Sequence, residues 1–130
     1  MPAPGRKILF INRRGPYGSI YAHEALEVAL IGGAFDQRIS LALIDDGVFL
    51  LRRGQDSRHL GMKQFTATYR ALKDFGVHRV YVERESMLDR GMNEESLVAI
   101  PAEGGRNLVE IVGSSDMADV IESHDVLLNQ

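Results

Sequence analysis

Residues 38–44, RISLALI, form a short run in which apolar side chains follow one another almost without interruption. Strands covered on both faces have this pattern, whereas strands with one solvated face alternate apolar and polar residues. Such fully covered strands occur in parallel sheets that are flanked by helices. The run therefore predicts an α/β fold with a parallel sheet.

Four other short segments also have the composition of strands, because each is rich in apolar residues and is bounded by turn or loop residues. These segments are residues 6–12, 77–83, 108–113 and 125–129. Helix or loop patterns separate the segments, and this alternation is typical of strands joined by helical crossovers. We therefore predict one domain over residues 1–130, with a three-layer α/β fold and a mostly parallel sheet.

Residues 20–34 predict a helix that is apolar on nearly all sides. At about 100° per residue, its polar side holds His23 and Glu27, yet Ile20 and Ile31 fall on that same side. Such a helix is expected to pack on the sheet and also on a partner subunit. The alternative is a helix that is covered by the chain's own loops, and we favour the partner subunit.

Three other segments predict helices or helical turns. Residues 62–75 carry apolar side chains at steps of three or four and predict an amphipathic helix. Ser86, with Asp89 three residues later, resembles a capping box on one helical turn. Ser115 or Asp116 is expected to cap a last short helix.

Two adjacent carboxylates, Asp45 and Asp46, directly follow the run at residues 38–44. Sites in parallel α/β folds form at the carboxyl ends of strands, so the pair could belong to a metal or phosphoacceptor site. A receiver-like site, however, needs the acidic pair after the first strand and a late lysine, and no lysine follows Lys73. We therefore favour a structural role, in which Asp45 turns or caps the chain, Gly47 supplies permissive backbone, and the loop shapes a subunit contact.

Composition excludes several classes of function. The chain has no cysteine, which excludes disulfides, a thiolate nucleophile and a cysteine-based metal site. His23 and Glu27 lack an evident third ligand, so we expect no metal. The GPYGS loop lacks the glycine spacings of dinucleotide- and phosphate-binding loops, so we expect no cofactor. The net charge of −3 argues against direct binding of nucleic acid. No apolar stretch approaches the roughly 20 residues of a membrane span, and MPAPGRK lacks a signal-peptide core, so we expect a soluble cytoplasmic protein with no membrane contact.

Three groups of motifs occur together, in order and at characteristic spacing. They are PYG with EALE within residues 16–27, DDGV with RGQD within residues 45–56, and RGM at residues 90–92. On these motifs the chain resembles the DsrE/DsrF/TusC-like family, from about residue 6 to the C-terminus. The resemblance implies a flavodoxin-like fold with a five-stranded sheet.

The resemblance also implies a cytoplasmic setting in intracellular sulfur oxidation. Members of the DsrF/TusC branch assemble with two related subunits, DsrE-like and DsrH-like, into a heterohexamer of the DsrEFH type. Sulfur is carried there as a cysteine persulfide on the DsrE-like subunit and passes to or from a small DsrC-like carrier. A persulfide requires a thiol, so a chain without cysteine fits a non-catalytic subunit of this relay.

On this basis no catalytic residue is assigned, and residues of the apolar helix and of the acidic loop with its continuation are assigned to subunit or partner contacts. They are Ile20, His23, Glu27, Ile31, Asp45, Asp46, Gly47, Phe49, Arg52 and Arg53. Three alternatives stay open. They are a TusC-like subunit of the relay for tRNA 2-thiouridine, a small-ligand-binding flavodoxin-like module that uses the acidic loop, and a homo-oligomer outside any such complex.

Overall fold

The computed structural model describes residues 7–13, 38–52, 77–97, 99–100 and 103–129. The predicted helices at residues 20–34 and 62–75 lie outside these ranges. Part of the predicted contact surface also lies outside them, so those assignments stay predictions. The residues concerned are Ile20, His23, Glu27, Ile31 and Arg53.

Five strands form one sheet in the described part of the chain. They are β1 (Lys7–Asn12), β2 (Arg38–Leu43), β3 (Arg79–Glu83), β4 (Val109–Val112) and β5 (Val126–Asn129). Their order across the sheet is β4-β3-β2-β1-β5, and all these pairings are parallel. Each strand end lies within two residues of its predicted position. The predicted α/β fold with a parallel sheet is confirmed.

Helical segments follow three of these strands in the described residues. β2 leads into a 3-10 helix, Asp45–Leu51, β3 leads into α1, Arg84–Asp89, and β4 leads into α2, Ser114–Glu122. Two short 3-10 turns, Glu94–Ser96 and Glu103–Gly105, lie between α1 and β4. The turn predicted after the second strand and the last predicted helix are both confirmed.

The sheet is covered on both faces, as the apolar run of β2 predicted. Alternate side chains of a strand point to opposite faces, so Leu41 enters one core while Ala42 enters the other. The larger core also includes Val48 and Leu51 of the 3-10 helix. The smaller core lies beneath α2, whose Met117 is 2% exposed. Helical elements therefore pack on both sides of the sheet, which gives a three-layer arrangement.

The predicted helix caps at Ser86 and at Ser115 or Asp116 are wrong. α1 begins at Arg84, so Ser86 lies within that helix, where it is 3% exposed. α2 is preceded by Gly113 at the capping position. A capping box does occur at Asn93, whose side chain accepts from the backbone N–H of Glu95 at 2.9 Å. The spacing between Ser86 and Asp89 predicted a helix cap at Ser86. The Ser86 hydroxyl instead contacts residues outside its own helix.

Candidate functional site at the carboxyl edge of the sheet

The carboxyl edge of the sheet carries the acidic loop that the sequence singled out. The chain leaves β2 through Ile44, whose backbone N–H donates to the carbonyl oxygen of Asn12 at 3.1 Å. This hydrogen bond joins the exit of β2 to the end of β1. Asp45 and Asp46 follow at once, and both are exposed. The prediction that these aspartates mark the exit of the second strand is confirmed.

The predicted turn at Asp45 is confirmed, and the structure shows why a glycine follows at residue 47. The left-handed conformation belongs to Asp45, with φ of 51°, and aspartate is among the non-glycine residues that tolerate it best. Gly47 is needed for space instead, because a Cβ atom there would lie 2.0 Å from the carbonyl oxygen of Asn12. The loop thus passes directly against the end of β1, and glycine permits that approach.

Ser86 connects the acidic loop to the end of β3. Its hydroxyl accepts a hydrogen bond from the backbone N–H of Asp45 at 2.9 Å and donates one to Oε1 of Glu83. Because Ser86 is buried, these bonds satisfy a group that would otherwise lose its contacts with water. They also hold Asp45 in its left-handed conformation, so the position of the loop is set by α1.

Asp46 and Arg90 form an ion pair that closes the outer side of the loop. Nε of Arg90 lies 2.9 Å from Oδ1 of Asp46, and Nη1 of Arg90 donates to the carbonyl oxygen of Ser86 at 3.2 Å. The Asp46 side chain is 63% exposed, so the pair stabilises the fold by no more than about 1 kcal/mol. Its main effect is to orient the carboxylate.

The end of the 3-10 helix places Phe49 and Arg52 beside one another. The Arg52 guanidinium lies 5.8 Å from the centre of the half-buried Phe49 ring, a distance suited to a cation–π contact. Arg52 also forms an antiparallel bridge with Leu97. The structure thus brings together Asp45, Asp46, Gly47, Phe49 and Arg52 from the predicted set in one loop, which the sheet, α1 and the segment at Leu97 hold in place.

Glu85 forms a second connection at this edge, between α1 and α2. Its Oε1 accepts from the backbone N–H of Ser114, the first residue of α2, at 3.0 Å. That hydrogen bond, followed by one from its own backbone N–H, lowers the pKa of Glu85 below its ordinary value of 4.5. The ionised carboxylate is therefore the form that holds the two helices together.

Replacing Glu85 with glutamine is expected to lower the melting temperature slightly at neutral pH and to have no effect in acid. Because folding lowers this pKa, the carboxylate stabilises the protein above pH 4.5 and loses that effect as the pH falls through the lower folded value. Thermal melts of both proteins across this range measure the difference. Glu95→Gln is the matched control, since Glu95 is also exposed. An E85Q deficit that is the same at all pH values would contradict the assignment.

The arrangement at this edge is that of a supported loop, since the Asp45 backbone N–H, the Asp46 carboxylate and the Ser86 hydroxyl each have a partner there. Within the described ranges, no three histidine or carboxylate side chains are grouped so that they could hold a metal ion. Sequence reasoning missed Ser86 and Arg90 as members of the cluster, because neither the capping-box spacing at Ser86 nor the RGM motif at Arg90 indicates a contact with the acidic loop. Glu83 ends the predicted strand at residues 77–83, so the sequence places it at this edge.

None of the helices in the described part of the chain is long and apolar enough to cross a membrane.

Comparison with known proteins identifies the family. The model of the DsrE/DsrF-like family matches residues 6–129, nearly the whole chain. The chain belongs to the DsrE/DsrF-like family. This confirms the resemblance inferred from the motifs around DDGV and RGM.

Curated relatives and one solved structure extend this result. The chain is 43% identical to the intracellular sulfur oxidation protein DsrF of Allochromatium vinosum over 130 residues, covering 95% of this chain and 96% of that protein. It is 35% identical to a TusC homolog of Pseudomonas aeruginosa over 123 residues, covering 95% and 97% respectively. The crystal structure of the ychN protein from E. coli matches with a TM-score of 0.65 and 25% identity, covering 96% of this chain and 99% of that one.

Proposed function

We propose that this member of the DsrE/DsrF-like family is a non-catalytic subunit of a cytoplasmic sulfur-relay complex of the DsrEFH type, acting in intracellular sulfur oxidation. The observation that carries the proposal is the 43% identity to DsrF over almost the full length of both proteins. DsrE-like and DsrH-like chains would complete the complex, and a DsrC-like carrier would exchange sulfur with it.

The absence of cysteine limits the role that this subunit can have in the relay. Carrying sulfur as a persulfide requires a thiol, and the chain has none. Three carboxylates at the sheet edge are engaged in a contact with Ser86, a helix contact and an ion pair, as described for Glu83, Glu85 and Asp46. These facts support a subunit that builds the complex and shapes the binding surface for the carrier, while another subunit holds the sulfur.

The acidic loop is the described surface that best suits a subunit or carrier contact. Its backbone is fixed by Gly47 against Asn12 and by Ser86, while the side chains of Asp45 and Asp46 point to solvent. A loop that is already ordered loses little conformational entropy when a partner binds. We propose that this loop contacts a neighbouring subunit or the carrier, together with the predicted helix at residues 20–34.

A relay for tRNA thiolation is the second candidate, and the 35% identity to a TusC homolog favours it. The same subunit architecture would serve both pathways. Neighbouring genes discriminate between them, since genes for a dissimilatory sulfite reductase indicate sulfur oxidation and genes for tRNA modification indicate thiolation.

Co-expression with the cognate DsrE-like and DsrH-like chains, followed by size-exclusion chromatography with light scattering, tests the proposal. We expect one complex that contains all three chains. Elution of this chain apart from the other two would contradict the proposal. The isolated protein, run alone, tests the alternative of a homo-oligomer.

Replacing both loop aspartates, as Asp45→Asn with Asp46→Asn, is expected to weaken assembly or carrier binding about tenfold while leaving the fold intact. Asparagine tolerates the left-handed conformation of residue 45, and the lost ion pair with Arg90 is an exposed one. Affinity for the partner chains, measured by calorimetry, provides the readout. Asp119→Asn with Glu122→Gln removes two exposed charges from α2 and serves as the matched control. Equal affinities for the two double variants would exclude the loop from the contact.

A further inference from the structure

The amino edge of the sheet, opposite the acidic loop, carries a row of basic residues. Lys7, Arg38 and Arg79 are the first residues of β1, β2 and β3. Lys7 pairs with Arg38 in the register of the sheet, and Arg79 pairs with Ser40, two residues further along β2. Arg106 lies three residues before β4. Basic residues thus stand at the start of three adjacent strands and just before the fourth.

Three of these side chains lie on the same face of the sheet. Lys7 lies two residues before Leu9, and Arg79 lies two residues before Tyr81, so each shares a face of the sheet with that residue. Leu9 belongs to the core beneath α2, and Tyr81 packs against it. Arg38 lies on that face too, because it is the register partner of Lys7. Neighbouring strands are about 4.8 Å apart, so three strands carry the row over about 10 Å.

The charge of this row is only partly balanced. In the described residues, two carboxylates contact it. Oε1 of Glu110 lies 3.7 Å from Nη1 of Arg79, and Oδ2 of Asp125 accepts from the backbone N–H of Lys7 at 2.8 Å. Among the described residues, four cations, counting Arg106, are therefore contacted by two carboxylates, although the whole chain carries a net charge of −3.

The pKa of His78 is affected by the same group of cations. Its pKa lies below its ordinary value of 6.5, first because the imidazole is partly desolvated and then because Arg79, Arg38, Lys7 and Arg106 repel the protonated ring. All four cations therefore lie within electrostatic range of His78. Arg38, His78 and Arg106 are exposed, so a binding partner could reach them.

We propose that this amino edge binds an acidic peptide segment of a partner protein. The cations stand on successive strands rather than around one point, so a small anion would meet only one or two of them. An extended peptide places same-side carboxylates roughly 6 to 7 Å apart and can follow the row across the strands. The inference does not depend on the proposed sulfur-relay function.

Fluorescence anisotropy with a labelled deca-glutamate peptide tests this surface on the full chain. We expect binding at about 50 mM NaCl that weakens strongly at about 300 mM, because exposed charges are screened as the Debye length shortens. Arg38→Glu together with Arg106→Glu is expected to weaken binding by at least about tenfold. Arg13→Glu together with Arg84→Glu is the matched control, because these exposed arginines follow β1 and β3 at the opposite edge of the sheet. Circular dichroism and thermal melts establish that each variant is folded.

Three results would overturn the inference. One is no binding of the peptide by the parent protein at low salt, and another is an equal loss of binding in the two double variants. The third is a ligand preference that does not fit a peptide, either oligothymidylate binding as tightly as deca-glutamate or sodium sulfate displacing the peptide better than sodium chloride at equal ionic strength. Loss of peptide binding confined to the variant at Arg38 and Arg106 would establish the surface.

Discussion

Replacing Gly47 with alanine is expected to lower the free energy of unfolding by about 3 kcal/mol or more, a large effect for a single methyl group. The added Cβ atom would lie 2.0 Å from the carbonyl oxygen of Asn12. Both sides of this contact are backbone, and the same oxygen accepts the hydrogen bond from Ile44 that joins the loop to β1. Relief of the clash must therefore displace the loop. Chemical denaturation of the parent and variant proteins measures the loss.

Gly104→Ala is the matched control for this prediction. Gly104 has a left-handed backbone, with φ of 76°, but no atom lies within 4 Å of an added Cβ. Its replacement should cost about 1 to 2 kcal/mol, from backbone conformation alone. A Gly47→Ala protein at least as stable as the Gly104→Ala protein would contradict the close approach of the acidic loop to β1.

Replacing Leu51 with alanine is expected to cost about 3 kcal/mol, within the range found for buried leucines. Leu51 ends the 3-10 helix that follows β2 and is 0% exposed, packed in the larger core. The substitution would leave a cavity beneath the acidic loop. The loop would lose apolar contacts on its inner side while its polar contacts to Ser86 and Arg90 stay unchanged. Equilibrium unfolding in urea gives the magnitude.

Leu88→Ala controls for the loss of a leucine as such. Leu88 lies in α1 and is 62% exposed, so its replacement should change stability by less than about 0.5 kcal/mol. Similar losses in the two variants would mean that the 3-10 helix is not anchored in the core as described.

The strands could be predicted from the sequence because a continuous apolar run by itself indicates a strand that is buried on both faces. The run RISLALI shows this pattern without information from distant residues, and β2 forms where it was predicted. The same reasoning located the exit of β2 at Asp45. It did not show that Gly47 is needed for space, because the crowding at Gly47 comes from the end of β1, which is distant in sequence.

The polar connections at the carboxyl edge could not be predicted from local patterns. Ser86 looked like a helix cap because of its spacing to Asp89, yet its hydroxyl contacts Asp45 and Glu83 in the folded chain. The basic row at the amino edge was missed for a similar reason. Lys7, Arg38 and Arg79 are scattered in the sequence and become neighbours only because parallel strands start at the same edge.

We propose that this chain supports sulfur transfer without carrying the sulfur itself. The most direct measurement is mass spectrometry of the reconstituted complex after loading with a persulfide donor and transfer to the DsrC-like carrier, with and without this subunit. We predict that omission of the subunit lowers transfer to the carrier and that this chain keeps its unmodified mass throughout. Unchanged transfer without the subunit, or added sulfur on this chain, would contradict the proposed role of the subunit.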